Sequence, residues 1–369
     1  MNVGSGSGFD CRSNMKTALV ILFSTVVLVS SCSKKTSTNV TPPPQDTTHN
    51  PVDTTKKPVD SAAFFAKGAD VSWLTEMEAQ NIHFYDRTGT QADLFTVLKG
   101  EGINSIRLRA WVNPAGSYNN TADVVAKALR AKSAGMKIMI DFHYSDTWAD
   151  PGHQTKPAAW TTANLVSLED SVFVYTASVM NALKAQHITP DWVQVGNETD
   201  NGMLWPDGEA DSSMSNFAAF VTAGYNAVKS VSDSSLVIVH ISNGYDNNLF
   251  RWIFDGLKSY GAKWDIIGMS LYPTAANWST YNLECQTNMS DMINRYNKPV
   301  MICESGMSWT DSTACNLFLK DLISKVKSQG SKGLGVFYWE PEAYGSWQGY
   351  TLGAFDNAGK PTVALDAFK

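Results

Sequence analysis

The chain has 369 residues, 43% of them hydrophobic, which supplies enough apolar surface to bury the core of one large domain or two small ones. Its 29 basic and 35 acidic residues give a net charge of −6 with no basic run, so nucleic acid is not an expected partner. None of the five cysteines stands at C-x-x-C spacing, which argues against a structural zinc site. A disulfide between Cys285 and Cys315 would need an oxidising compartment, and the sequence alone does not decide it.

The N-terminal 62 residues are predicted to precede the folded domain. In residues 1–32, a polar extension and Lys16 come before the apolar run ALVILFSTVVLV, which ends at Ser-Ser-Cys32. The run is too short to span a membrane and is typical of an export signal. Its ending resembles a bacterial lipoprotein signal, which implies lipidation of Cys32 and anchoring at the outer membrane, at the cell surface. The alternative is an ordinary secretory signal with an incidental cysteine.

Residues 33–62 are rich in Thr, Pro and Asp and nearly free of large apolar side chains. Such a segment cannot bury enough apolar surface to fold, so we expect an extended tether. The folded domain is then predicted to occupy residues 63–369.

From residue 66 onward, apolar segments alternate with amphipathic ones. The predicted strands are residues 67–74, 105–112, 137–145, 192–198, 236–244, 266–273, 299–306 and 334–341. Two intervening segments, ADVVAKALRAKSAG and SNFAAFVTAGYNAVKSV, have apolar residues at helical spacing, and Gly135 is placed to end the first helix. Eight strand–helix units favour an α/β fold of the closed (β/α)8 TIM-barrel type over an open doubly wound sheet. No G-x-G-x-x-G motif opens a helix, which argues against dinucleotide binding.

Polar or aromatic residues end six of the eight predicted strands, which is where active sites lie in this fold. They are Arg107 and Arg109, Asp141 and His143, Asn197 and Glu198, Tyr272, Glu304, and Trp339 with Glu340.

Glu198 and Glu304 end the fourth and seventh strands, which lie nearly opposite each other in an eight-stranded barrel. Hydrolysis of a glycosidic bond needs two carboxyl groups, and in the retaining route one protonates the leaving oxygen while the other attacks the sugar. Glu304 follows PVMIC, and a carboxylate after an apolar strand is costly to bury without a reason. We therefore expect Glu198 to be the acid/base and Glu304 the nucleophile. The alternatives are a loop pair without function at Asn197-Glu198 and a salt bridge at Glu304.

The supporting residues follow from the same reasoning. Arg109 is expected to hold the carboxylate of Glu304 ionised and oriented, while Arg107 lies deeper with a structural role. Tyr272 is expected to donate its hydroxyl to Glu304, and the amide of Asn197 to hold a sugar hydroxyl.

Three further side chains are ambiguous. His143 is interpreted as a contact to sugar hydroxyls, or else as a hydrogen-bonded histidine at the barrel mouth. Trp339 and Trp347 are interpreted as stacking platforms, although a single Trp is as often a packing residue. Asp141 is equally a substrate contact or a partner of other side chains.

Five segments carry a resemblance to a known family: KGADVSWL, INSIRLRAWVNP, MKIMIDFHYSDTWADPGHQTKPAAW, DWVQVGNETDNGMLWPDG and GVFYWEP. They resemble glycoside hydrolase family 53, the endo-β-1,4-galactanases, from Lys67 to Lys369. The resemblance implies retaining hydrolysis of β-1,4-galactan and its galacto-oligosaccharides, with Glu198 as acid/base and Glu304 as nucleophile. We also expect a monomer, although the sequence itself does not give the oligomeric state. It also implies that Asn197, Arg109, His143, Tyr272 and Trp339 are supporting residues and that Asp70, Asp146, Trp148 and Trp347 lie near the substrate groove.

The sequence departs from part of this family after the seventh strand. Some members have long loops there with bound calcium, whereas SWTDSTACNLFLKDL leads almost directly into a helix. We therefore expect no cofactor and regard a calcium site as doubtful. Two alternative functions remain: a related β-1,4-mannanase or cellulase, and a non-catalytic glycan-binding lipoprotein.

Overall fold

The computed structural model describes residues 64–369, so the predicted signal, Cys32 and the tether at residues 33–62 lie outside the described residues. Eight parallel strands close into a barrel in chain order, each strand pairing with the next and β8 pairing with β1. The strands are β1 Ala66–Asp70, β2 Ser105–Ala110, β3 Lys137–Phe142, β4 Trp192–Val195, β5 Leu236–Ile241, β6 Ile266–Leu271, β7 Val300–Ser305 and β8 Gly333–Tyr338. The predicted (β/α)8 barrel is confirmed, and every predicted strand is found within a few residues of its expected start.

Helices cover the outside of the barrel, with apolar faces turned toward the strands. They are α1 Leu74–Ala79, α2 Leu94–Gly100, α3 Thr121–Ser133, α4 Leu165–Ala185, α5 Ala210–Val231, α6 Asn247–Ser259, α7 Trp278–Tyr296 and α8 Ser312–Lys327. Gly135 follows α3 with a φ of 74°, the left-handed conformation that suits glycine after a helix end. The alternation departs from one helix per strand at two places: α1 and α2 both lie between β1 and β2, and β8 is followed by the short 3₁₀ helix Val363–Phe368 rather than an α-helix.

The barrel interior is apolar at its N-terminal end and charged toward its C-terminal end. Met139, Trp192, Met301 and Phe337 belong to a separate apolar cluster of buried residues contributed by the strands. A Cβ atom on Gly68 would lie 2.1 Å from the Phe337 ring, so only glycine leaves room for this ring between β1 and β8. The strand ends above this cluster carry the buried polar residues of the site.

An irregularity in β7 decides where Glu304 points. Met269 of β6 pairs with Ile302, but the next residue, Ser270, pairs with Glu304, so Cys303 is an extra residue in β7. Side chains alternate along a regular strand, and Ile302 packs in the outer core while Cys303 packs in the interior. The bulge therefore brings Glu304 to the interior instead of the helix-facing side, as bulges next to active sites do.

Cys285, Cys303 and Cys315 are buried free thiols, so the disulfide considered between Cys285 and Cys315 is not formed. Among residues 64–369, no helix has the length and apolar character needed to cross a membrane.

Candidate active site

A cleft of about 500 Å³ opens at the C-terminal ends of the strands. Seven of the predicted site residues line it: His143, Trp148, Asn197, Glu198, Tyr272, Glu304 and Trp339. The cleft is also lined by Trp73, Ala149, Asp150, Gln348, Gly349, Tyr350 and Leu352. Two carboxyl groups at the floor of a cleft with aromatic walls have the composition that a sugar-binding site needs.

Glu304 ends β7 and is only 5% exposed. Its Oε1 lies 2.8 Å from Nη2 of Arg107, and its Oε2 accepts a 2.8 Å hydrogen bond from the hydroxyl of Tyr272. Burial raises the pKa of Glu304 to about 7, while Arg107 and the Tyr272 hydrogen bond oppose this rise. Both contacts favour the ionised carboxylate and fix its orientation.

Arg107 lies in the middle of β2 and is fully buried among polar partners. Its Nη1 lies 2.6 Å from Asp70 and its Nη2 lies 2.9 Å from Asp141. Its Nε donates to Gln194 at 2.7 Å, and Nη2 donates to Asn197 at 2.8 Å. These hydrogen bonds and ion pairs fix the position of the guanidinium, and the guanidinium orients the side chains bound to it.

The prediction that Arg109 contacts Glu304 is wrong, because Arg107 makes that contact. Arg109 Nη1 instead lies 3.2 Å from Oε1 of Glu340, which follows β8. Its guanidinium carbon lies 4.0 Å from the ring centroid of Trp148 and 4.9 Å from that of Trp111. Arg109 is therefore a buried support for the aromatic wall of the cleft and not a contact of the carboxyl pair.

A second carboxyl pair lies behind this wall. Glu340 and Glu342 are both fully buried, and Glu340 Oε2 accepts a hydrogen bond from the backbone N–H of Trp73 at 3.2 Å. Burial raises the pKa of Glu340 to about 7, and burial together with the charge of Glu340 raises the pKa of Glu342 well above its usual range. Neither carboxyl oxygen of Glu342 has a hydrogen-bond partner among the described residues, and the neighbouring charge of Glu340 disfavours its ionisation.

Glu198 stands on a sharp turn after β4. Gly196 has a φ of 97°, where a Cβ atom would lie 2.6 Å from Thr199, and Glu198 has a φ of 43°. A non-glycine residue in the left-handed region is held there by its surroundings, as is common at functional sites. Burial and the charge of Glu304 raise the pKa of Glu198 well above its usual range, although a hydrogen bond from Ser270 opposes the rise. Glu198 is therefore poised to hold a proton while Glu304 is charged.

Asn197 lies between Arg107 and the loop after β3. Its Oδ1 accepts from Arg107, and its Nδ2 donates to the carbonyl of Ala149 at 2.8 Å, which leaves one amide hydrogen for another acceptor. His240 lies behind it, with Nδ1 3.0 Å from Asn197 Oδ1 and Nε2 2.8 Å from Ser270 Oγ. Burial and the charge of Arg107 hold the pKa of His240 well below its usual range, so this buried ring is neutral.

Both ring nitrogens of His143 already have protein partners. Nδ1 accepts hydrogen bonds from the N–H of Ala149 at 2.9 Å and the indole of Trp111 at 3.2 Å, so the proton of the neutral ring lies on Nε2. Nε2 lies 2.9 Å from Asp141, and burial lowers the pKa of His143 against the charge of Asp141. His143 thus lines the cleft as a hydrogen-bonded histidine, and Asp141 is its partner.

Four aromatic rings form one wall of the cleft. Trp73 meets Trp148 and Trp339 edge-on, with ring centroids 5.6 and 5.2 Å apart, and Trp339 meets Tyr350 at 4.8 Å. The rings come from the loops after β1, β3 and β8. Aromatic rings provide flat apolar surface of the kind that packs on the C–H face of a sugar.

Three predicted groove residues do not line the cleft. Asp70 is fully buried beneath it as a partner of Arg107 and Ser72. Asp146 accepts hydrogen bonds from the backbone N–H groups of Asn113 and Ala158, and so joins the loops after β2 and β3. Trp347 is half-buried on the loop after β8, where its neighbours Gln348 and Gly349 reach the cleft instead.

Several lining residues were not identified from the sequence. Trp73 ends the predicted first strand, and Asp150 belongs to the segment DFHYSDTWADPG. Gln348, Tyr350 and Leu352 lie on an irregular loop that has no periodic pattern to interpret. Only the position of Trp73 at a strand end was a usable signal.

Within residues 64–369, no group of three or more His, Cys, Asp or Glu side chains is arranged to hold a metal ion. Asp311 and Ser312 already belong to the 3₁₀ turn and helix that follow β7, which agrees with the short loop expected from the sequence.

Comparisons with known proteins agree with this architecture. The family model "Glycosyl hydrolase family 53" matches residues 66–368. An uncharacterized protein of Niallia circulans is 36% identical over 81% of this chain and 89% of its own. A probable arabinogalactan endo-β-1,4-galactanase A of Neosartorya fischeri is 34% identical over 76% of this chain and 85% of its own. A fungal β-1,4-galactanase structure superimposes with a TM-score of 0.77 and 29% identity, over 83% of this chain and 99% of that chain. The chain therefore belongs to glycosyl hydrolase family 53.

Proposed function

We propose that this chain is an endo-acting β-1,4-galactanase that cleaves galactan and type I arabinogalactan with retention of configuration, with Glu304 as nucleophile and Glu198 as acid/base. The observation that carries the proposal is the unequal setting of the two carboxyl groups in one cleft. Arg107 and the Tyr272 hydroxyl favour the charged form of Glu304. Burial and the charge of Glu304 disfavour the charged form of Glu198. When one carboxyl group acts as the acid and the other as the nucleophile, their pKa values must differ in this way.

In the first step, the carboxylate of Glu304 attacks the anomeric carbon while Glu198 gives its proton to the leaving oxygen. Arg107 and Tyr272 hold the two oxygens of Glu304, so the nucleophile needs no reorientation when the sugar arrives. The C1–O bond to the leaving chain breaks as the ester to Glu304 forms, and the proton leaves with the released hydroxyl.

In the second step, Glu198 is ionised and takes a proton from water, which attacks the same carbon and frees Glu304. The pKa of Glu198 falls when Glu304 is esterified, because the charge that raised it is gone. One residue can therefore act first as acid and then as base.

The substrate assignment rests on the named relatives together with the aromatic wall. The relative from Neosartorya fischeri is named as a probable arabinogalactan endo-β-1,4-galactanase and aligns with 76% of this chain. Mannanases and cellulases of similar architecture would use the same carboxyl pair, so only the choice of polysaccharide distinguishes them from this proposal.

The test is hydrolysis of a panel of purified β-1,4-polysaccharides, measured by released reducing ends, with the Glu304→Gln protein as the blank. We expect galactan to be degraded to oligosaccharides with an early loss of viscosity, and mannan and cellulose to be left intact. Preference for mannan or cellulose would overturn the substrate, and no hydrolysis of any polymer would favour the glycan-binding alternative.

We also propose that the protein is exported and attached to the bacterial outer membrane by a lipid on Cys32. The support is the apolar run that ends in Ser-Ser-Cys32 and the polar residues that follow it. Replacement of Cys32 by Ala should move the protein from salt-washed membranes to the soluble fraction, and membrane retention of the variant would contradict the proposal.

A further inference from the structure

A pair of tyrosines lies on the catalytic face outside the cleft. Tyr245 is in the loop between β5 and α6, and Tyr281 is in the first turn of α7 after β6. Their ring centroids are 4.2 Å apart with the planes 35° from parallel, and both side chains are half-buried. Loops that follow barrel strands lie at the same end as the active site, so this pair shares the face on which a polymer must lie.

A continuous series of hydrogen bonds joins the pair to Glu198. The N–H of Asp200 donates to the carbonyl of Glu198 at 2.9 Å, and the N–H of Ser242 donates to Asp200 at 2.8 Å. Asn243 Nδ2 donates to Ser242 Oγ at 2.8 Å, and the hydroxyl of Tyr245 donates to Asn243 Oδ1 at 3.0 Å. The tyrosine pair is therefore fixed relative to the acid/base, on the β5 side of it.

The chemistry of the proposed reaction assigns this side to the leaving part of the substrate. The nucleophile of a retaining enzyme attacks opposite the leaving group, and the acid stands beside the leaving oxygen. The aromatic wall of Trp73, Trp148 and Trp339 comes from the loops after β1, β3 and β8, and in the closed barrel β1 lies opposite β5. The leaving part of the chain, whose glycosidic oxygen Glu198 protonates, then extends over the loops after β4, β5 and β6.

We propose that Tyr245 and Tyr281 form a distal binding site for the leaving-group portion of a β-1,4-galactan chain, a proposal that rests on the galactanase function above. Each ring covers one face of the other, and two fixed rings form a broad apolar surface with hydroxyl groups at its rim. The exposed Asn243 adds an amide beside the rings. This combination matches galactose units, which present C–H groups on one face and hydroxyls at their edges.

The experiment compares two substrates with each tyrosine variant. Long galactan extends over the β5 and β6 loops, whereas an aryl β-1,4-galactotrioside has only a phenol on the leaving side. We expect Tyr245→Ala and Tyr281→Ala to lower the ratio of kcat/KM for galactan to kcat/KM for the aryl substrate by about five- to tenfold. Tyr245→Phe keeps the ring and should keep the ratio within about twofold.

Tyr260→Ala is the matched control, because Tyr260 is 59% exposed at the opposite end of α6, away from the catalytic face. Its substrate ratio should equal that of the wild type. If an alanine variant has a lowered melting temperature, leucine at the same position keeps apolar packing without the ring. The ratio of kcat/KM for galactan to that for the aryl substrate should then fall by the same factor. Equal changes on both substrates, or no change on either, would overturn the distal site. Failure of the wild type to cleave galactan would instead overturn the proposed function.

Discussion

Glu304, near the end of β7, and Glu340, just after the neighbouring strand β8, have much in common. Both are buried, and burial raises the pKa of each to about 7. Each pairs with an arginine of β2, Glu304 with Arg107 and Glu340 with Arg109. A search for perturbed carboxyl groups alone would find both of them equally.

The two carboxyl groups differ in what can reach them. Glu304 lines the cleft and receives a hydrogen bond from Tyr272, whereas Glu340 lies behind the wall and shares its surroundings with Glu342. Glu340 also accepts a hydrogen bond from the backbone N–H of Trp73, and this contact fixes the aromatic wall in place. The difference teaches that access to substrate separates a nucleophile from a structural carboxyl group when burial and charge do not.

The largest expected effect comes from replacing each of these glutamates by glutamine. Glu304→Gln should lower kcat on galactan by at least about a thousandfold, because an amide cannot form the glycosyl ester. Glu340→Gln should keep at least about a tenth of the wild-type rate, because its amide oxygen still accepts the hydrogen bond from Arg109 and only the acceptor of the Trp73 N–H is lost, away from the reacting atoms. Initial rates on galactan, with circular dichroism as the folding check, measure both. A Glu304→Gln protein with more than a few per cent of wild-type activity would remove Glu304 from the mechanism.

The next effect concerns the acid/base. Glu198→Ala should lower the rate on galactan by about a hundred- to ten-thousandfold, because its sugar leaving group needs protonation. An aryl oligogalactoside with an acidic phenol needs little protonation, so its first step should be nearly spared and the glycosyl-enzyme should accumulate. Burst kinetics and mass spectrometry of the intact protein measure this difference.

Added azide provides the control for that role. Azide attacks without a base, so it should restore turnover of the Glu198→Ala protein and give a β-galactosyl azide of retained configuration. Equal loss on both substrates with no azide effect would contradict the acid/base role. A product of inverted configuration would contradict the retaining route.

A smaller effect distinguishes the two arginines. Arg107→Lys should lower kcat by about ten- to hundredfold with little change in KM, because a lysine cannot hold Glu304, Asp70 and Asp141 at once. Arg109→Lys should act mainly on KM, because Arg109 supports Trp148 and the wall that binds sugar. Steady-state kinetics on galactan separate the two, and an equal loss of kcat in Arg109→Lys would show that the wall also serves the chemical step.

The contrast between the arginines also shows which features of the site could be predicted from the sequence. Residues 107 and 109 share a face of β2 by simple alternation, so placing both in the interior was straightforward. The side of β7 on which Glu304 lies depends on the extra residue Cys303, which turns Glu304 inward. A regular alternation through VMICES would have put Glu304 on the same side as Ile302, so no local pattern predicts the bulge.

The strands were predictable because hydrophobic runs are local signals, and both glutamates were found as polar residues at strand ends, although the bulge that turns Glu304 inward was not. The cleft walls were not, since Tyr350 and Gln348 reach the site from an irregular loop whose path depends on tertiary contacts. The role of His143 was left open for a related reason. Whether the ring binds a sugar or protein groups depends on the donors near it. Ala149 and Trp111 reach its Nδ1 only in the folded barrel.

The smallest expected effect concerns the buried carboxyl pair, Glu340 and Glu342, and its contribution to the pH dependence of stability. Burial and the charge of Glu340 raise the pKa of Glu342 in the folded protein, whereas the unfolded chain titrates near 4.5. Below pH 4.5 the carboxyl group is protonated in both states, so its titration costs nothing there. As the pH rises toward the folded-state pKa, the unfolded chain releases its proton first, and Glu342 progressively destabilises the fold.

Glu342→Gln removes this titration and lets an amide N–H donate to Glu340, which Glu342 can do only while it holds a proton. The melting temperature of the variant relative to the wild type should therefore rise between pH 5 and pH 8. One pKa unit corresponds to about 1.4 kcal/mol, and each 1 kcal/mol moves the melting temperature of a chain this size by about 2 °C. We thus expect the difference to grow by at least about 2 °C, measured by differential scanning calorimetry at both pH values. Glu198 and Glu304 are present in both proteins and cancel in the comparison. Glu340, whose pKa is about 7, titrates in both proteins, and an N–H donated by the glutamine would favour its charged form in the variant, which adds to the same rise with pH. A difference that stays constant or shrinks with pH would mean that the pKa of Glu342 is not raised in the folded protein.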